Sequence, residues 1–169
     1  MIIVKQLIEI IDKLTSFHQQ LLQLSKQKTE LIKRSKSEEL VKLLVKEKQL
    51  IQHVEQTETK REAIVDRFFA ELGVQPKEKT VTELLTYIEH GEQKQALEQS
   101  VTKLIEKIVL LREQEDLNNR LLQQSMQFVQ LTLDMLQPDS RNIHYGEHAK
   151  TKQKPQQVPS NRSVFDSKV

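Results

Sequence analysis

Residues 1–34 read MIIVKQLIEIIDKLTSFHQQLLQLSKQKTELIKR and contain the most regular apolar pattern of the chain. Its apolar side chains follow one another at alternating steps of four and three residues, at positions Ile3, Leu7, Ile10, Leu14, Phe17, Leu21, Leu24 and Leu31. That spacing is the heptad pattern of a coiled coil, and Lys28 is the one break in it. Because a helix cannot bury such a stripe alone, we predict that this segment packs along another long helix.

The composition of the 169-residue chain favours an all-α protein. Three Gly and four Pro are too few turn-forming residues for a protein of many strands, and the absence of Cys excludes disulfides and thiolate metal sites. Lys5, Glu9 and Asp12 interrupt the apolar residues at the amino terminus, so that stretch does not resemble a signal peptide. No run reaches the roughly 20 apolar residues that span a bilayer. We therefore predict a cytoplasmic protein with no direct membrane insertion.

Three further helices are predicted along the chain. The second long helix ends at Gly73, a residue suited to the left-handed conformation that follows a helix. Its apolar stripe is weak, because Glu47, Glu58 and Arg61 occupy positions that a seam would fill with apolar side chains. A short amphipathic helix precedes Gly91, and the last long helix runs from about residue 93 to residue 136.

These elements predict an elongated antiparallel helical bundle, or coiled-coil hairpin, of three long helices and one short helix. Two pairs, Ser35 with Glu38 and Thr80 with Glu83, have the spacing of capping boxes at helix starts. The helical domain is predicted to cover residues 1–137.

The last helix carries two apolar rows. Its seam consists of Leu97, Val101, Leu104, Ile108, Leu111, Leu122, Met126, Val129, Leu133 and Leu136. The second row lies about 100 to 180° away around the helix and consists of Leu110, Leu117, Leu121, Phe128, Leu131 and Met135. Such a helix is either central in the bundle or keeps one face for a partner. Since the second helix is a weak zipper, we predict that the second row binds the amphipathic helix of a partner.

No pattern in the sequence predicts catalysis, a cofactor or a metal site. None of the five His has a Glu three residues before it, so the metal-binding pattern of helical bundles is absent from the sequence. The three Gly are scattered and do not form a phosphate-binding loop motif. The net charge is only +2, with acidic and basic residues interspersed, which argues against a nucleic-acid partner. We therefore expect no enzymatic activity, no cofactor, no metal and no nucleic acid.

Residues 138–169 differ from the rest of the chain, because they are polar, contain Pro and have no periodicity. This composition predicts a flexible, disordered tail. Tyr145 and Phe165 are its aromatic residues, and aromatic side chains provide the most contact area per ordered residue. We predict that they dock on a partner; the alternative is a solubilising tail with incidental aromatics.

Amide hydrogen exchange of the free protein tests the prediction for this tail. Fast exchange is expected from residue 139 to the end of the chain, because the segment has too few apolar side chains to offset the entropy cost of ordering it. Strong protection across residues 146–160 would contradict the prediction.

Three stretches resemble the FlgN family of flagellar export chaperones, in a Bacillus-like version. They are LLQLSKQKTELIKRSKSEELVKLLVKEKQLI at 21–51, LNNRLLQQSMQFV at 117–129 and SVFDSKV at 163–169. The resemblance implies a cytoplasmic, non-catalytic chaperone that binds the terminal helical regions of hook-filament junction proteins. It also implies that the chaperone prevents their premature assembly and delivers them to the cytoplasmic domain of the flagellar type III export gate.

In this family a tyrosine after the helical body contacts the export gate, and Tyr145 is the tail tyrosine here. The resemblance therefore implies that Tyr145 is an export-gate docking residue. Phe165 is predicted as a second docking anchor because of its aromatic side chain. On the same resemblance, the second row of the last helix becomes the client-binding site. The alternative function is a self-associating coiled-coil adaptor or scaffold, and a homodimer is compatible with both.

Overall fold

A computed structural model describes residues 1–136, and these residues form four α-helices with no strand among them. The helices are α1 (Ile2–Lys33), α2 (Ser37–Leu72), α3 (Val81–Thr86) and α4 (Glu92–Leu136). The all-α prediction and the order of three long helices and one short helix are confirmed. The described residues fall into two units: residues 1–127 form the first, and residues 128–136 belong to the second.

In the first unit, α1 and α2 form an antiparallel hairpin. Arg67 donates a hydrogen bond to Gln6, 61 residues away, whereas Lys28 reaches Glu47 over a separation of only 19 residues. The buried face of α1 is wider than the heptad seam, because it faces both α2 and α4. Its buried residues are Ile3, Val4, Leu7, Ile11, Leu14, Leu21, Leu22, Ser25, Lys28, Thr29 and Ile32.

The main hydrophobic core lies where the N-terminal ends of α1 and α4 meet the C-terminal end of α2. Phe69 is buried there and makes edge-to-face contacts with Phe68 and Tyr87, with ring centroids 5.6 and 5.7 Å apart. The short helix α3 contributes fully buried Leu84 to the same core. The other buried members are Ile3, Val4, Leu7, Ile11, Val65, Ile88 and Leu97.

The turn between α1 and α2 differs from the predicted capping box. Lys36 precedes α2 as its N-cap, and no side chain caps that end, so the pairing of Ser35 with Glu38 is wrong. Ser35 instead adopts a positive φ of 54° after α1. Its N–H donates to the carbonyl of Ile32, and the Lys36 N–H donates to that of Leu31 at 3.0 Å. This is the hydrogen-bond pattern of a Schellman motif, with serine where glycine is usual.

The end of α2 and the start of α3 agree with the sequence. Gly73 adopts φ 65°, and the N–H of Val74 donates to the carbonyl of Phe69 at 3.1 Å, so the same Schellman motif forms with the expected glycine. The N–H of Glu83 donates to the Thr80 hydroxyl at 3.1 Å, which confirms Thr80 as the cap of α3.

These two Schellman turns predict stability changes of opposite sign. Gly73→Ala should lower the free energy of unfolding by about 1 kcal/mol, because a side chain in the left-handed region is strained. An added Cβ meets no atom within 4 Å, so the cost is conformational. Ser35→Gly should raise the free energy of unfolding by about 0.5 kcal/mol, since relief of strain exceeds the added backbone entropy. Urea unfolding of both variants measures the changes, and a shared sign would contradict the assignment.

Helix α4 runs parallel to α1 within the first unit. The amino terminus of Met1 donates to Gln93 at 2.8 Å, and Ser25 donates to Glu115 at 2.6 Å, over sequence separations of 92 and 90 residues. The same separation of 90 residues places Lys33, the last residue of α1, beside about residue 123 of α4. Residues 124–127 therefore have no α1 residue at their level, and Met126 is 71% exposed.

A buried polar layer joins α1, α2 and α4 near the middle of the first unit. Lys28 is the one charged residue classed as buried in residues 1–136, and it donates to Glu47 at 2.7 Å and to Glu115 at 3.0 Å. The residues of the polar layer are Ser25, Lys28, Thr29, Glu47, Gln114, Glu115 and Asn118. Lys28 and Glu47 interrupt the apolar seams of α1 and α2 in the sequence, and they form an ion pair with each other in the folded chain.

Candidate functional site

The C-terminal segment of α4, defined here as Phe128–Leu136, presents an apolar surface to solvent. Phe128 is 70% exposed, Met135 75% and Leu136 74%. The other exposed apolar side chains of the segment are Val129, Leu131 and Leu133. Because large apolar side chains at this density are rare on the surface of a protein without a partner, the segment is the candidate interaction site.

Polar side chains of this segment are engaged within the helix itself. The Thr132 hydroxyl donates to the carbonyl of Phe128 at 2.9 Å, and the amide of Gln130 donates to Asp134 at 3.0 Å. Bonds of this kind, four residues apart, satisfy polar groups without an external partner. The segment therefore offers a partner mainly apolar contact, with one acidic residue, Asp134.

The predicted client-binding row is accessible along most of its length. Of its members in the first unit, Leu110 and Leu117 are exposed and Leu121 is half-buried. In the second unit, Phe128, Leu131 and Met135 are exposed. None of the six is buried, but their exposure is greatest in the C-terminal segment.

The seam of α4 has two different environments along its length. In the first unit Leu97 is buried, and Val101 and Leu104 pack against the main core, so the seam is the face turned towards the bundle. Farther along, Leu122 and Met126 are exposed, as are the three seam residues of the C-terminal segment, Val129, Leu133 and Leu136.

The seam residues of this segment lie outside the predicted client-binding row, yet they are exposed like its members. The relevant signal was helix length, because α4 has 45 residues and α1 only 32. A seam that outlasts its partner must leave apolar side chains uncovered. The candidate site therefore includes both apolar rows in the C-terminal segment of α4.

The two predicted gate-docking residues, Tyr145 and Phe165, lie outside the described residues. Within residues 1–136, no cluster of three or more His, Asp or Glu side chains could hold a metal ion. None of the described helices is both long enough and apolar enough to cross a membrane.

Comparison with known proteins identifies the family. The model of the FlgN family, described as FlgN protein, matches residues 1–153. The chain belongs to the FlgN family. It is also similar to a Bacillus subtilis (strain 168) protein described as uncharacterized protein YvyG, with 32% identity over 167 residues and 98% of each chain covered. No solved structure matches the chain.

FlgN proteins are flagellar export chaperones, a family of chaperones and not of enzymes. The matched region of this FlgN protein covers all four helices and extends beyond the C-terminal segment of α4. An exposed apolar surface can receive the apolar face of an amphipathic helix.

Proposed function

We propose that this FlgN family member is a cytoplasmic, non-catalytic chaperone that binds the terminal helical regions of flagellar hook-filament junction proteins. It prevents their premature assembly and delivers them to the cytoplasmic domain of the export gate. The observation that carries the proposal is the exposed apolar surface on Phe128–Leu136. An amphipathic client helix would bury that surface together with its own apolar face.

The character of this surface suits reversible binding. An aliphatic or aromatic side chain that is fully buried contributes roughly 1.5–3 kcal/mol, and micromolar binding requires about −8 kcal/mol in total. Several moderate anchors along one helix reach this range without a deep pocket. Met135 is unbranched and flexible, which allows it to repack against different client side chains.

The first test replaces two exposed anchors of the C-terminal segment. Phe128→Ser with Leu131→Ser should weaken binding to a purified junction protein by at least about 100-fold, since two buried anchors are lost. Because both side chains are exposed in the free chaperone, helix content and Tm should change little. Isothermal titration calorimetry measures the affinity, and circular dichroism the stability.

A matched control comes from α2, where Val41 and Val45 are also exposed. Val41→Ser with Val45→Ser removes two exposed apolar side chains from a different helix and should leave client affinity within about twofold of the parent. Equal losses in both double variants would contradict the proposed site. A large drop in Tm for the α4 variant would show that these residues stabilise the fold.

The second test separates client capture from delivery. Tyr145→Ala and Phe165→Ala should leave client affinity unchanged and lower affinity for the cytoplasmic domain of the export gate by about tenfold or more, because aromatic anchors dominate the contact of a short segment. Titrations of the gate domain with parent and variant chains measure this effect. Equal gate affinity for the parent and for a chain ending at Leu136 would remove the docking proposal.

One observation favours the alternative of a self-associating adaptor. The exposed apolar residues Val41, Leu44, Val45 and Ile51 follow helical spacing on α2 and form a second possible contact surface. An adaptor should form a stable homodimer or larger assembly at micromolar concentration, unaffected by a junction protein. A chaperone should instead form a complex with the junction protein, and light scattering after size exclusion distinguishes the two results.

A further inference from the structure

Three apolar seams are interrupted at the same level of the bundle. Lys28 interrupts the seam of α1 and Glu47 that of α2, while the seam of α4 lacks apolar residues at Glu115 and Asn118. In the folded chain these four side chains lie in one polar layer. Each interruption therefore has its partners on the neighbouring helices.

The polar layer is densely hydrogen-bonded around Asn118, which is 1% exposed. The Asn118 amide donates to the carbonyl of Ser25 at 2.9 Å and to its hydroxyl at 3.0 Å, and its oxygen accepts a hydrogen bond from Thr29. The amide of Gln114 donates to the Thr29 hydroxyl at 2.6 Å. These hydrogen bonds can form at only one axial position of α4 relative to α1.

We infer that the polar layer fixes the register of α4 along the α1–α2 hairpin. Away from the layer, the apolar seams repeat every seven residues and would pack nearly as well after a shift of one heptad. A shift in one direction would place Ile108 and Leu111 beside Lys28, and Glu115 beside Ile32. The opposite shift would place Glu115 beside Leu21. Either shift would separate Lys28 from Glu115, although Lys28 would keep Glu47, and it would take Asn118 away from Ser25 and Thr29. Loss of these partners in the interior is unfavourable.

The polar layer also affects whether α1 pairs within its own chain or with a second copy of the chain. If α1 paired with a second copy of itself through its seam, Lys28 would lose both carboxylates that it now contacts at 2.7 and 3.0 Å. The polar layer therefore selects pairing within one chain over pairing of identical seams. Single polar residues in coiled-coil seams specify register and partner in this way, at a cost in stability.

The experiment measures register directly. The parent chain contains no Cys, so Glu9→Cys and Arg120→Cys introduce a unique pair of spin-label sites on exposed positions of α1 and α4. Native register places these sites roughly 30 Å apart along the helix axes, and a shift of one heptad changes that component by about 10 Å. Double electron–electron resonance should give a single distance for the labelled parent.

The test variant carries leucine at the four interruptions: Lys28→Leu, Glu47→Leu, Glu115→Leu and Asn118→Leu. We expect it to remain helical and to show a second distance displaced by about 10 Å, or a higher mass than the parent in light scattering. A single unchanged distance at the parent's mass would overturn the inference. The control Glu58→Leu with Arg61→Leu removes an ion pair internal to α2 and should keep the parent's distance.

A charge exchange tests the inference without a leucine layer. Lys28→Glu and Glu115→Lys, each alone, place like charges together in the layer and should broaden or displace the measured distance. Lys28→Glu combined with Glu47→Lys and Glu115→Lys inverts all three charges, so that one acidic side chain lies between two basic ones, and should recover the single distance of the parent. If the two single variants keep that distance, or if the combination fails to recover it, the polar layer does not set the register.

Discussion

Lys28→Ala is expected to lower the free energy of unfolding by about 3–5 kcal/mol, the loss typical of one partner removed from a buried ion pair. The Lys28 side chain is 8% exposed and lies between the carboxylates of Glu47 and Glu115. Without the ammonium group, the carboxylates of Glu47 and Glu115 would both lose the cation that they share. Natural domains have total stabilities of only about 5–15 kcal/mol, so the loss is large.

A second lysine of α1 provides the matched control. Lys33 pairs with Glu30 at 3.5 Å on the surface, where both side chains are more than half exposed. Lys33→Ala should change the free energy of unfolding by less than about 0.5 kcal/mol, because solvent screens exposed pairs. Guanidinium unfolding of both variants gives the comparison. Similar small losses for Lys28→Ala and Lys33→Ala would mean that the polar layer contributes little to stability.

The second large effect is expected for Phe69→Ala, which should lower the free energy of unfolding by about 3–5 kcal/mol. Phe69 is 1% exposed, and its ring contacts Phe68 and Tyr87, so the truncation leaves a cavity where α2 meets the segment that follows α3. Thermal and urea unfolding should both show the change.

The control for this truncation is Phe128→Ala, which removes the same atoms from an exposed position. Its free energy of unfolding should fall by no more than about 1 kcal/mol, because an exposed ring buries little apolar surface when the chain folds. Phe69→Ala should lower the free energy of unfolding more than Phe128→Ala does. Phe128→Ala should instead cause the larger loss of client affinity, because the proposed function places Phe128 in the client-binding surface. Equal destabilisation by the two changes would place Phe128 in a packed environment and contradict the proposed client site.

Local features of the fold could be predicted because their causes lie within a few residues. The hydroxyl of Thr80 caps α3 through the N–H of Glu83, and the glycine at position 73 ends α2 in the left-handed region, as the sequence indicates. Ser35 is a residue type that often caps the start of a helix, yet here it follows the end of α1 with a positive φ and does not cap α2. The sequence could not decide between these roles, because both place serine in the same tight turn.

The helices of residues 1–136 begin and end within a few residues of the predicted positions, and the two apolar rows of α4 are also visible in the sequence. Heptad spacing, caps and turn residues act locally, so they are visible without a partner. By contrast, the sequence does not show that Lys28 pairs with Glu47 and Glu115, or that the α4 seam is buried in one part and exposed in another. Those outcomes depend on which helices meet and at what register, and the contacts that set the register join residues about 90 positions apart.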